Sequence, residues 1–264
     1  MSFMFEVNQE SADERFRAVW RAAGQHLQHR GEGSINWLRA DLNPPLAEHL
    51  SFRLANHLFF VFIEVRGGID GPSSKDLFLQ VAAEAAALPV VLLMAPVGSG
   101  FQPVHGGWGL RDARADRAID PPSLVSDELI EMSDWEVHDF AIQNVASQIE
   151  KSSGAVFSKQ PSLHIDPSVW FRDKHGPAYV VVRSGRFPQA EAPRPTNLVA
   201  IMSSCAKMSQ RGFFASVIVA SAEQQEAPAS RGAIPLYRGH GMVVKFTGLE
   251  PLQPSNGVND SGTG

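Results

Sequence analysis

The run His57-Leu58-Phe59-Phe60-Val61-Phe62-Ile63-Glu64-Val65 is dense in apolar and strand-forming side chains, a pattern suited to a buried strand. Gly67, Gly68, Gly71 and Pro72 punctuate its exit. Ser73-Ser74-Lys75-Asp76 then supplies a helix start before an alanine-rich stretch ending near Leu88, and Val90 to Met94 reads as a second strand. Strand, helix and strand with short connections predict a right-handed parallel crossover. The fold class expected is α/β, or α+β, with a mixed central sheet flanked by helices.

The flanking segments extend this pattern. Phe16, Val19, Trp20, Ala23 and Leu27 recur at spacings of three and four between Ser11 and Arg30, which predicts a first helix. Pro44-Pro45 opens a second expected helix carrying Leu46, Leu50 and Leu54. From Pro96 to Asp127 periodicity fails and glycines accumulate, so a long loop is expected. Ser133-Asp134-Trp135-Glu136 is a capping box ahead of a helix bearing Val137, Phe140, Ala141, Val145 and Ile149, closed by Gly154. Ala155 to Ser158, Pro167 to Arg172 and Ala178 to Arg183 predict a hairpin or three-stranded meander with a turn at 173–177. Thr196 and Asn197 cap a further helix with Ile201 and Cys205 on its apolar face and its end at Gly212. Strands over 213–221 and 241–248 follow. A single α/β domain over 1–252 is expected, with 1–127 and 128–252 as its halves should it divide, and 253–264 as a disordered tail.

The 264 residues are 44% hydrophobic and 19% charged, as in globular chains. Cys205 is the one cysteine, so an internal disulfide and a cysteine-rich metal cluster are excluded. The start of the chain lacks the basic and apolar stretches of an export signal, and the run Leu88 to Pro96 is too short to cross a bilayer. A cytoplasmic location without membrane insertion is expected. The net charge of -5 argues against a broad nucleic-acid footprint while permitting a local basic groove.

Asp166 precedes Pro167-Ser168-Val169-Trp170-Phe171, and Arg183 ends Val180-Val181-Val182-Arg183. With the order helix, strands, helix, strand, strand over residues 133 to 249, this half of the chain resembles the restriction-endonuclease-like, or PD-(D/E)XK, core. The resemblance implies an acidic residue opening the second core strand and an acidic-x-Lys triplet on the third. The carboxylates would hold Mg²⁺ and the lysine would assist the attacking water. Asp166 matches the first acidic position and would be the metal ligand; Arg183 falls where the lysine belongs, and Val181 where the second carboxylate belongs. Either Glu136 supplies the missing oxygen or the site is dead or repurposed.

A noncatalytic binding or assembly protein with a protein partner and no cofactor is the reading preferred. The alternative is a Mg²⁺-dependent nuclease acting on nucleic acid through Glu136, Asp166 and Arg183. Glu136 is equally explained by the capping box and Asp166 by a turn before proline.

Arg238-Gly239-His240-Gly241, with Arg183 and Arg186, forms a second candidate, a grip for phosphate or carboxylate in a small-anion enzyme or sensor. His105, His138, His164 and His240 could join Asp139 or Asp166 in a hydrolase or metal site, although their spacing is uninformative. His138 is most simply a partly buried structural residue. No HExxH, GxSxG, Walker or GxGxxG signature occurs. His105 and Trp108 offer an interaction surface in a glycine-rich loop, unless Trp108 folds back into the core. Trp37, Trp135 and Trp170 read as packing residues. Several strings also resemble uncharacterised bacterial proteins, and the resemblance implies a bacterial accessory protein from a mobile element.

Overall fold

A computed structural model describes residues 3–4, 13–40, 49–68, 74–224 and 232–252. Its α/β content is mixed, with two mixed sheets and four helices among these residues. The chain divides into two compact units: Val7–Asp139 with Ala220–Val243, and Met1–Glu6 with Phe140–Val219 and Val244–Gly264. The halves expected from sequence, 1–127 and 128–252, are not these units. The division falls after Asp139, inside a helix, and residues 220–243 return to the first unit. Sequence distance hides such a return, because the contacts that define a unit need not be local.

In the first unit, helix α1 (Glu14–Gly31) is capped by Asp13, whose carboxylate accepts from Arg15 N, and buries the expected stripe Phe16, Val19, Trp20, Ala23 and Leu27. Strands β2 (Asn36–Arg39), β3 (Leu50–Leu54) and β4 (His57–Val65) form an antiparallel meander. Helix α2 (Lys75–Glu84) begins at Ser74, whose hydroxyl accepts from Leu77 N, and leads to β5 (Leu88–Val97). Strand β5 lies parallel to β4, as the strand–helix–strand reading requires.

The strand face with Leu50, Phe52, Phe59, Val61, Val90 and Leu92 packs with α1 residues, while Leu58 and Phe60 pack with Phe78 and Ala82 of α2 and with Trp135. The short pair β1 (Phe3–Met4) with β9 (Ile165–Asp166) belongs to the second unit.

Two expectations are corrected here. Leu50 and Leu54 lie in strand β3, not in a helix, and Pro44, Pro45 and Leu46 fall outside the described residues. A spacing of four fits two strand periods as well as one helical turn, and buried Phe52 between them marks the strand.

The glycine-rich segment after Pro96 is not one long loop. It contains β6 (Gly100–Pro103), β7 (Leu110–Asp112) and a short 3₁₀ turn at Pro121–Leu124, with β6 and β7 both antiparallel to β5. These strands are too short to show a period, and their pairing comes from β5.

Helix α3 (Asp134–Lys151) spans the division, and its part in the second unit contributes Ala141, Val145 and Ile149 to the interior. Strands β8 (Ala155–Lys159), β10 (Val169–Asp173) and β11 (Gly176–Arg186) form the expected antiparallel meander. Helix α4 (Leu198–Cys205) then connects to β12 (Gly212–Ser221), which runs parallel to β11. Strands β13 (Met242–Phe246) and β14 (Glu250–Pro251) both join β12.

Helix α4 stops at Cys205, short of the Gly212 end expected. Gly212 instead starts β12, where a side chain would strike the ring of Tyr179, its register partner. The expected tail, 253–264, lies outside the described residues. No described helix is long and apolar enough to cross a membrane.

Candidate functional site

In the second unit the structure brings Asp166 and Arg183 together. Asp166 ends β9 just before β10, and Arg183 lies on the neighbouring β11. Arg183 Nη1 donates to Asp166 Oδ1 at 2.9 Å and Nη2 donates to Oδ2 at 2.7 Å, a two-pronged guanidinium–carboxylate contact. Nη1 also donates to Val182 O. The Asp166 side chain is only 4% exposed, so its charge has little water to rely on and the arginine is its main compensation.

Val181 is fully buried and offers no ligand atom. Burial pushes the Cys205 thiol up to about 12, and the nearby Asp166 carboxylate adds to the effect, so this cysteine stays protonated and inert as a nucleophile.

Glu136 belongs to the first unit and has a different partner. Arg238 Nε donates to both its oxygens, at 3.1 and 2.9 Å, and Nη2 donates to Oε2 at 2.7 Å. Both side chains are essentially buried, 5% exposed for Arg238 and 0% for Glu136. The predicted capping box also forms: Ser133 N donates to Glu136 Oε2 at 3.0 Å, and Ser133 Oγ accepts from Glu136 N at 3.2 Å. Ser133 Oγ and Arg238 Nη2 both donate to Ala85 O, and Nη2 reaches Ala86 O at 2.9 Å. Arg238 thus neutralises the carboxylate at the start of α3 and satisfies carbonyls at the end of α2, which a helix C-terminus otherwise leaves open.

This arrangement corrects the anion-grip reading at Arg238, because its Nε and Nη2 are spent inside the protein. His240 is exposed, with Nδ1 3.4 Å from Glu223 Oε1 and its ring in a T-shaped contact with Tyr237. Arg186 is half-buried on β11, and His164 is exposed in the segment before β9. His138 and Asp139 are buried on α3. Trp108 is buried beside Phe52, so it is a core residue and not an exposed contact; His105 next to it is half-buried. Trp135 and Trp170 are buried, as packing residues should be. Among the described residues no group of three His, Cys, Asp or Glu side chains is placed to hold a metal ion.

Sequence reasoning missed a polar row on β3. Leu50, Phe52 and Leu54 face one core, so His49, Ser51 and Arg53 alternate onto the other face. His49 stacks on Phe60 with ring centroids 4.0 Å apart, Ser51 lies opposite Phe60, and Arg53 lies opposite Leu58. Both His49 ring nitrogens, Ser51 Oγ and Arg53 Nε are buried without a hydrogen-bond partner. Burial lowers the Arg53 guanidinium; Glu136 and Asp139 oppose that shift and Arg238 adds to it. The signal was available: polar residues at 49, 51 and 53 interleave with Leu50, Phe52 and Leu54.

Burial holds the His49 imidazole well below 6.5, and the charge of Arg39 adds to the effect. At acid pH the unfolded chain therefore binds a proton at this residue that the folded chain does not. Stability is lost as pH falls through the unfolded value of 6.5. Urea titrations from pH 7.5 to 5 are expected to show the natural protein losing more stability than His49→Phe, with the gap opening below that value; parallel curves would contradict the assignment.

Residues 135–252, a little under half of the chain, match a family described as a domain of unknown function (DUF8840). Neither curated proteins nor solved structures give a match.

Proposed function

We propose that the protein works by binding or assembly and not by catalysis, on a scaffold whose second unit follows the endonuclease-like plan with its metal site closed. The observation that carries this reading is the Asp166–Arg183 pair. A divalent cation of the Mg²⁺ type needs several oxygen ligands and an uncompensated negative charge. Here the one carboxylate at the site is bound at both oxygens by a permanent cation, and a fully buried valine stands two residues before that arginine. Arginine stays charged near neutral pH and cannot serve as a tunable base.

The order of elements supports the scaffold part of the reading: α3, the antiparallel strands β8, β10 and β11, helix α4, and β12 parallel to β11. That is the helix, meander, helix and strand order on which the resemblance rests. Fold likeness does not fix function; the closed site supplies the argument for a noncatalytic role. The net charge of -5 suits a protein partner better than a nucleic-acid backbone. Helix α4 adds an apolar outer side, with Val199 70% exposed and Ala200 beside it.

The test is thermal unfolding with and without Mg²⁺ or Mn²⁺, for the natural protein and Asp166→Ala, beside incubation of both with linear and supercoiled DNA. A cation bound to the native state would raise the midpoint by mass action. Expected are equal midpoints with and without metal, and intact DNA. A metal-dependent rise and DNA cleavage, both lost in Asp166→Ala, would overturn the reading.

A further inference from the structure

Charge is unevenly distributed along the first unit. From Arg15 to Gly31 helix α1 carries arginines at 15, 17, 21 and 30 and no acid. Four arginines against Glu14 give the helix +3, and with -5 on the whole chain the remaining residues carry -8. The opposite bias follows Arg117: no lysine or arginine occurs before Lys151, and Asp120, Asp127, Glu128 and Glu131 are exposed. We propose that a second copy of this chain is the partner of both surfaces, with segment 125–131 of one copy seated on the outer face of α1 of another. The noncatalytic reading stands whether or not the copies associate, because metal and DNA test it separately.

The apolar stripe of α1 already packs with Leu50, Phe52 and Phe59, so a membrane or an apolar groove has nothing on this helix to hold. What remains outward is Arg15, Ala18, Arg21, Ala22, Gln25 and His29, spaced three or four residues apart and so on one face. Among the described residues no carboxylate pairs with the guanidinium of Arg15, Arg21 or Arg30. Arginine without lysine suits carboxylates, which a guanidinium binds with two parallel hydrogen bonds.

Segment 125–131 offers the complement. Val125 is 44% and Leu129 57% exposed, and Asp127 and Glu128 between them have no ion-pair partner among the described residues. The backbone is held at several points: Asn56 Nδ2 donates to Glu128 O at 2.8 Å, Arg238 N donates to Ile130 O at 2.9 Å, and Glu131 bridges Tyr237. A segment held in this way loses little freedom on docking. Its reach is at most about 20 Å, within the roughly 27 Å of an 18-residue helix. Val125 and Leu129 would lie over Ala18 and Ala22 while the carboxylates meet the flanking arginines, the apolar centre and charged rim of a protein interface.

A nucleic acid fits less well. Its charge continues past the helix and would meet the -8 of the remaining chain, whereas a short acidic segment ends within the patch. Each copy presents both signs unpaired, so each supplies what another lacks.

Sedimentation velocity of the full chain at about 0.05 M and about 1 M salt tests the proposal, since the screening length falls to about 3 Å at the higher value. The natural protein is expected to self-associate at low salt with a dissociation constant on the order of 10 μM or tighter, and at least about tenfold more weakly at high salt. Arg15→Glu with Arg21→Glu, and separately Asp127→Lys with Glu128→Lys, should each give a monomer, because each change makes the two surfaces alike in sign. An equimolar mixture of the two variants should associate again. Circular dichroism reports the fold of each; the substituted side chains are exposed, and the hydrogen bond at Glu128 uses its backbone oxygen. Should a reversed variant not fold, Arg21→Gln and Asp127→Asn, which only remove charge, decide by weaker association. A natural protein that stays monomeric at about 100 μM, association undiminished by salt or by either reversal, or a mixture that stays monomeric would each overturn the proposal. So would uptake of poly-L-glutamate or duplex DNA through Arg15 and Arg21 by a monomeric natural chain, which would give the helix a foreign partner.

Discussion

Arg238→Ala is expected to lower the unfolding free energy by about 3–5 kcal/mol, read as a shifted urea midpoint, because it strips the buried Glu136 carboxylate of the guanidinium bound to it. The same change opens the Ala85 and Ala86 carbonyls at the end of α2. Losing Arg238 thus leaves charge and backbone acceptors uncompensated at once, a far larger effect than an exposed ion pair would give. A second variant separates these contributions. Glu136→Gln with Arg238→Met removes both charges while keeping bulk, and should be less damaging than Arg238→Ala alone, since a buried charge without its partner is worse than none. Equal loss in the two variants would assign the effect to the α2 carbonyls.

Gly212→Ala is expected to lower stability by about 1–3 kcal/mol through overpacking. An added methyl would lie within 2.8 Å of Cε2 of Tyr179. The ring has little freedom to withdraw, because Tyr179 is buried and Trp170 packs against it at 5.3 Å. Tyr179→Leu in the same chain should relieve the clash, so the double variant should lose less than the sum of the single losses. Strict additivity would show that the glycine is needed for some other reason.

What could be read from the sequence follows from the range of the interactions concerned. The α1 stripe, the β4–α2–β5 crossover and the Ser133–Glu136 capping box are encoded within a few residues, and each forms as expected. The same property concealed Arg238, which lies 102 residues from Glu136 and whose glycine-flanked setting looks like an open loop. Asp166 and Arg183 were identifiable as site candidates, but not as partners that occupy one another, since pairing depends on how β9 and β11 are brought alongside. The β3 row was lost to a choice of period. Leu46, Leu50 and Leu54 suit a helix only if Phe52 is ignored, and that choice hid the alternation of His49, Ser51 and Arg53. Trp108 shows the limit of composition: glycines on both sides suggested exposure, whereas β5 and its partners hold the indole inside.

The contacts of Arg238 also bear on how such a sequence can be inherited. The stretch 135–252 contains Glu136 and Arg238 but not Ser133, Ala85 or Ala86. Copied into another chain, it would carry an arginine with one acceptor on board and the rest left behind. Transplanted without residues 85 and 86, that guanidinium would need backbone carbonyls of the new host to replace those at the end of α2.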